Sequence, residues 1–276
     1  PSQASIPKIS SSLSDLILIW KEIRVLKSNN DSPNLLLDYR YSPTVDRDYA
    51  NKVLVGFKGA AQFWQKQFVP KEVMPVLIYT EKDRNWYKEQ FVAMGLNTEN
   101  IDFKLAGFDN EVSRNGKLIN MAGMNGYQGL TWFEFSFGTE SSKHAETSNG
   151  MLFVLNALKS APHEYTHAVQ FSLIDGAGLD ATPCWFLEGG AEFYGMILGA
   201  PDTETLKQMR QNQVWEKYQF NFTGMAFEPV QGWEQFLDDI GEFSNGSKLA
   251  RECGPNGAYP VGSVATQYLY ELKGQE

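Results

Sequence analysis

His163-Glu164-Tyr165-Thr166-His167 lies inside an apolar segment that runs from Met151 to Leu173. The spacing of that segment predicts a helix, and a helix puts positions i and i+4 on one face, one turn apart. Two imidazoles so placed can hold one zinc ion, each nitrogen about 2.0–2.1 Å from the metal. Glu164 stands beside the first imidazole, within reach of a water on that metal. The chain has only three histidines, and two of them fall in this stretch. Pro162 must then sit at a helix start or a kink. Taken alone, the pattern also fits a buried, hydrogen-bonded histidine pair.

The next predicted helix opens at Thr182 or Pro183, runs to about Leu198 and ends near Gly199. It carries Trp185-Phe186-Leu187-Glu188-Gly189-Gly190-Ala191-Glu192. A catalytic zinc site takes three protein ligands and leaves a position for water. A carboxylate on a neighbouring antiparallel helix can be the third, and Asp175 to Gly178 supplies the turn between the two helices. Glu188 is the candidate. Glu192, one turn later on the same face, suits the partner that a ligating histidine needs for its other ring N–H, toward His163. Gly189 and Gly190 would let the two helices approach closely. The competing reading is a solvated helix face. Trp185, Phe186, Leu187, Ala191, Phe193 and Tyr194 oppose it, because apolar surroundings disfavour an unpaired carboxylate.

Together these two stretches resemble the gluzincin metallopeptidases, the thermolysin-like group. Many gluzincins carry a second-helix sequence similar to W-x-x-E-G-x-A-E, and bacterial collagenases are similar locally, including the Tyr-Thr pair inside the first motif. The resemblance covers residues 151–198. It implies His163, His167 and Glu188 as zinc ligands, Glu164 as general base, Glu192 as the acid behind a ligand, and a peptide or protein as substrate. Where the thermolysin pattern places Asn just before the ligand Glu, this chain has Leu187, so the partner of His167 must come from elsewhere. The aromatic stretch 130–137 is similar in place to the sheet-edge strand on which such enzymes bind substrate backbone. Ala258-Tyr259-Pro260-Val261-Gly262 is similar to the Y-x-x-G stretch of the aminopeptidase branch. That makes Tyr259 the candidate oxyanion donor, next to the plainer reading of a tyrosine packed at a helix start. Tyr127 is a second candidate. His144, in a polar loop, reads as a solvated side chain or as an auxiliary histidine. No amine-binding Glu motif of an aminopeptidase precedes residue 151, which points to endopeptidase action or to an unassigned mode.

Working outward, helical spacing recurs over Leu13 to Lys27, Asp46 to Phe68, Glu81 to Met94, Thr203 to Tyr218, Trp233 to Ile240 and Pro260 to Leu272. Strands are predicted at Leu35 to Tyr41, Val73 to Tyr79 and Leu130 to Phe137. Residues 96–128 are rich in Asn and Gly and give few strong signals. Mixed strands and helices thus precede a part made of helices only. The expected fold is α+β and zincin-like: an N-terminal α/β lobe with a small mixed sheet and the active-site helix, then a helical C-terminal lobe. The expected division is a lead and helix at 1–30, the α/β lobe at 31–175, and at 176–276 a helical lobe carrying Glu188.

The chain has 276 residues, a formal net charge of −9 and a sequence pI near 5.0. No basic stripe interleaved with aromatics occurs, so nucleic acid is not an expected partner. No run of about eighteen apolar residues occurs, so no membrane span is expected. Cys184 and Cys253, the two cysteines, read equally as one bridge or as two buried thiols. A bridge would tie the start of the Glu188 helix to the loop before Tyr259 and favour an oxidising compartment. With the Ser-rich opening, this suggests a secreted or cell-surface protein freed of an export signal. Two other readings stay open: a binding module on a degraded zincin fold, and a zinc hydrolase acting on a non-peptide acyl group.

Overall fold

A computed structural model of the chain describes residues 13–28, 36–116, 118, 121–139, 148–174, 182–211 and 258–273. The expected helix at Trp233 to Ile240 and the end of the one at Thr203 to Tyr218 lie outside them. The chain divides into two compact units. One is Asn30–Leu173; the other joins Pro1–Asn29 to Ile174–Glu276, and so takes in the leading helix that sequence alone sets apart.

The Asn30–Leu173 unit is mixed α/β. Its sheet has four strands in the order β1-β2-β4-β3: β1 (Leu37–Tyr41), β2 (Met74–Thr80), β3 (Met121–Tyr127) and β4 (Leu130–Phe137). The first three in spatial order run parallel and β3 is antiparallel to β4. Every residue of β2 is buried, as a central strand requires. Alternation along β4 splits the core in two. Phe133 and Phe135 face Phe57 of α2 (Arg47–Trp64), with ring centroids 4.8 and 5.5 Å away. Trp132 faces the other way. It joins Leu77 and Tyr79 against Tyr87 and Phe91 of α3 (Arg84–Ala93) and Ile101, Leu105 and Phe108 of α4 (Thr98–Asn115).

Two sequence expectations are corrected by the fold. Within 96–128 lie a helix and a strand: α4 begins at the Asn97 cap, whose side chain accepts from the Asn100 N–H at 2.9 Å. It ends at Gly116, a left-handed cap with φ 68°. β3 follows and turns into β4 through Gln128 and Gly129, both at positive φ, the backbone of a two-residue hairpin. The second correction concerns the edge. β4 is an interior strand, and the edge beside it is β3. The aromatic side chains of 130–137 are the mark of a strand covered on both faces.

Glu134 of β4 points into the Trp132 side and is buried. It accepts from Tyr79 Oη at 3.1 Å, Tyr87 Oη at 2.7 Å, Trp132 Nε1 at 2.8 Å and Lys104 Nζ at 2.8 Å. A carboxylate so supplied is stable without water.

The other unit is helical over its described residues: α1 (Leu13–Ser28), α6 (Cys184–Gly199), α7 (Thr203–Gln211) and α8 (Ala258–Lys273). Trp20 Nε1 of α1 donates to Ala200 O at 3.1 Å, and an Arg24 N–H to Pro201 O at 2.6 Å. These bonds seat α1 on the turn after α6. α6 and α8 meet where neither has a side chain. A Cβ on Gly189 would fall 2.2 Å from Gly262 Cα, and one on Gly262 would fall 2.1 Å from Trp185 O. The sequence suggests Gly189 for an approach of the two ligand-bearing helices; the contact found for it is with the last helix. Cys184, at the start of α6, is disulfide-bonded. The chain's other cysteine is Cys253, which lies outside the described residues.

Gly262→Ala must part α6 from α8 or bend one of them, since the atoms it meets are backbone. We expect a loss of about 1–3 kcal/mol of unfolding free energy, read from urea unfolding; unchanged stability would contradict the close contact. A second expectation concerns alkali. Burial pushes Tyr194 up to about 12 and raises Tyr39, Tyr49, Tyr79 and Tyr87, Glu134 adding to the rise at the last two. A phenol with a raised folded value contributes stability that is complete below its unfolded value near 10. That contribution is lost as pH climbs toward the folded value. Stability should therefore fall above about pH 10, with phenolate absorbance appearing together with unfolding. Free ionisation of these tyrosines in the folded protein would contradict their burial.

Candidate metal centre

The motif helix, α5, spans Ser148–Ile174 with Pro162 inside it. Pro162 has no N–H to give to the carbonyl one turn back, which loosens the helix there. Its own carbonyl accepts from Thr166 Oγ1 at 2.8 Å. On the outside of this spot lies Gly56 of α2, where a Cβ would come within 2.9 Å of Ala161 Cβ and Pro162 Cδ. The proline is thus at a packed position in the middle of the helix, not at its start. Every residue from Ala161 to Val169 is buried. Tyr165 packs its ring on Phe57 and Phe68, and burial pushes its hydroxyl up to about 12.

The two histidines turn their rings toward each other. His163 Nε2 and His167 Nε2 are 3.1 Å apart, and the residues are 6% and 9% exposed. His167 Nδ1 lies 2.8 Å from Gln170 Oε1. With that oxygen accepting, Nδ1 carries the proton and Nε2 offers its lone pair toward His163. Gln170 therefore answers the question that Leu187 raised. The signal is present in the sequence, since Gln170 is three positions after His167 on the same helix face.

Glu164 is buried, 7% exposed. Its Oε2 accepts the backbone N–H of Met124 in β3 at 2.8 Å.

Of the remaining sequence candidates, Glu188 is half-buried on α6 and Glu192 is buried, 2% exposed. The sequence points Glu192 toward His163. Within its own unit its carboxylate bears on Arg210 of α7, whose guanidinium burial drags down to about 10 while Glu192 and then Glu271 act against that pull. Arg210 also donates to Ser263 Oγ at 2.7 Å and to Gln267 Oε1, both on α8. Nothing in the sequence pattern singles out this arginine. Tyr259 is half-buried in the first turn of α8. The Tyr127 hydroxyl accepts from Asn97 Nδ2 at 2.8 Å, a tie between β3 and the cap of α4. His144 lies outside the described residues.

His163, His167 and Glu188 form a group that could hold a metal ion, each offering one ligand atom. The donor chemistry fits zinc. Two nitrogens about 2.0–2.1 Å from one tetrahedral ion stand about 3.3 Å apart, close to the 3.1 Å found.

Comparison with known proteins returned no matching protein family, no matching curated protein and no matching solved structure.

The Gly56 contact gives a test of how the His163 end of the motif is held. Gly56→Ala has to push α2 away from Ala161 and Pro162, the residues just before His163. We expect a loss of about 1–3 kcal/mol of stability and weaker zinc binding, followed by thermal unfolding and by competition with a chromogenic chelator. Wild-type affinity in a destabilised variant would show that the helix positions its imidazoles without α2.

Proposed function

We propose that the chain is a zinc-dependent peptidase of the gluzincin type, with His163, His167 and Glu188 holding the metal and Glu164 acting as general base. The observation that carries this reading is the convergence of His163 Nε2 and His167 Nε2 at 3.1 Å inside a buried helix turn. A buried histidine pair needs one N–H···N bond at most; a carboxylate next to it in the chain, and Glu188 as a further residue able to offer a ligand atom, suit a cation better. The zincin-like description of the fold belongs to the same proposal. It is supported by a small mixed sheet, an edge strand and a motif helix in one unit, and a helix carrying a third ligand in the other.

When bound, zinc supplies Lewis acidity: it polarises an acyl oxygen and makes water acidic enough to yield a nucleophile near neutral pH. Gln170 would keep the Nδ1 proton of His167 in place, so that Nε2 is the nitrogen that would face the metal. Glu164 removes a proton from water and later delivers it to the leaving amine. Tyr259 as the donor to the tetrahedral oxyanion rests on the resemblance of its Y-x-x-G stretch. The disulfide at Cys184 supports placing the protein in an oxidising compartment, secreted or at a cell surface.

Metal analysis and cleavage of a peptide library, with and without a chelator, test the proposal. Glu164→Gln should keep stoichiometric zinc and lose at least about 10²-fold in kcat/KM. His163→Ala and Glu188→Ala should lose zinc and activity together. Cleavage undiminished in Glu164→Gln, or indifferent to the chelator, would overturn the reading. Zinc binding with no cleavage of peptides but turnover of an ester or amide panel would keep the chemistry and change the substrate.

A further inference from the structure

β3 is the sheet edge beside β4, and its sequence, Met121-Ala122-Gly123-Met124-Asn125-Gly126-Tyr127, is small and poor in strand-forming side chains. Glycine in a strand interior often marks a place where another group comes close to the backbone. In β3 that group is Glu164. Successive residues of an antiparallel strand turn their N–H groups alternately toward and away from the partner. Because the Met124 N–H reaches Glu164 Oε2 at 2.8 Å, it points away from β4. Its paired position, Met124 with Phe133, is then a pair without mutual hydrogen bonds. The same alternation turns the amides of Ala122 and Gly126 outward, and those of Gly123 and Asn125 inward to β4.

A glutamate side chain has three rotatable bonds, and the helix fixes only its first atoms. Without a partner the carboxylate of a buried glutamate has no defined direction and carries the cost of lost hydration. Among the described residues, the Met124 amide is the donor it meets. A backbone N–H differs from a lysine or arginine in that role. It fixes one oxygen at one point and brings no positive charge that would weaken a base. It also cannot swing away, since the strand holds it.

We propose that the backbone N–H of Met124 is the positioning group for the Glu164 carboxylate, so that the sheet edge as well as α5 sets where the base stands. The positional part is a property of the fold. Its effect on turnover rests on the peptidase reading above.

Amide hydrogen exchange on the metal-free protein tests the contact without any activity. In the wild type the Met124 amide should be protected although it faces an open edge. Glu164→Ala should speed its exchange about tenfold or more, with Gly123 and Asn125 unchanged. Glu164→Gln, whose amide oxygen can still accept, should restore most of the protection. Equal exchange at Met124 in wild type and Glu164→Ala overturns the proposal.

The second arm reads turnover. Met124→Pro removes this N–H, and proline is tolerated at an edge position whose N–H faces outward. It should retain zinc and lower kcat about tenfold to a hundredfold with KM little changed. Ala122→Pro removes the neighbouring outward N–H and should leave kcat near the wild-type value. An equal loss in both proline variants means a damaged strand and overturns the positioning role, as does a wild-type kcat in Met124→Pro. A protected Met124 amide in a protein with no zinc-dependent cleavage supports the contact and counts against the peptidase reading alone.

Discussion

Burying a polar helix turn on every side sets the terms for the rest of the α/β unit. From Ala161 to Val169 no residue of α5 reaches solvent appreciably, yet the turn carries two imidazoles, a carboxylate, a hydroxyl and a phenol. Each polar group buried without a partner would cost about 1–3 kcal/mol, and an ionised one more. The turn therefore draws partners from several places. Thr166 bonds back to the Pro162 carbonyl, His167 forward to Gln170, and Glu164 across to the edge strand. The two Nε2 atoms lie 3.1 Å apart. The proposed cation would sit against these nitrogens.

The edge strand that serves Glu164 is weak in itself, and the opposite face of the sheet compensates. Lys104 of α4 donates to Asn125 Oδ1 of β3 at 2.6 Å and to Glu134 Oε1 of β4 at 2.8 Å. One side chain thus clamps the hairpin from the side away from α5. Glu134 in turn gathers Tyr79, Tyr87 and Trp132, so the clamp is embedded in the aromatic core of α3 and α4. Tyr127 adds a tie from the hairpin turn to the α4 cap through Asn97. A polar cluster on the far face of the same sheet thus holds the strand that carries Met124.

Much of this is readable from the residues, and the reasons for the misses are specific. Long periodic runs declare α2, α5 and α6, because a buried stripe repeating every three or four positions fits little besides a helix. α4 has the same stripe in Ile101, Leu105, Phe108 and Val112, but Asn, Gly and Asp between them obscure it. β3 is invisible for a better reason: with Gly123, Asn125 and Gly126 it has almost no local strand preference, and pairing with β4 makes it a strand. Taking β4 for the edge follows from missing β3. Among the site residues, the ligand types and spacing are plain in the sequence. Of the groups around them, Gln170 is legible as the i+3 neighbour of His167, whereas the Met124 N–H that meets Glu164 is not, because it belongs to the backbone.

The helices that carry His163 and Glu188 are each held, next to that residue, by a contact with no long side chain between. On α5 it is Pro162, one residue before His163, against Gly56. On α6 it is Gly189, one residue after Glu188, against Gly262. A glycine packed on backbone or on a proline ring has no rotamer to relax into, so the Cα of each neighbouring ligand is fixed more tightly than flexible side chains would fix it. A metal site of mixed ligands benefits from this, since ligand geometry within about 0.5 Å is what separates a productive centre from a loose one. The same rigidity gives the outer partners their value: once the Cα positions are set, a single bond from Gln170 or from the Met124 amide is enough to decide where a ring or a carboxylate points.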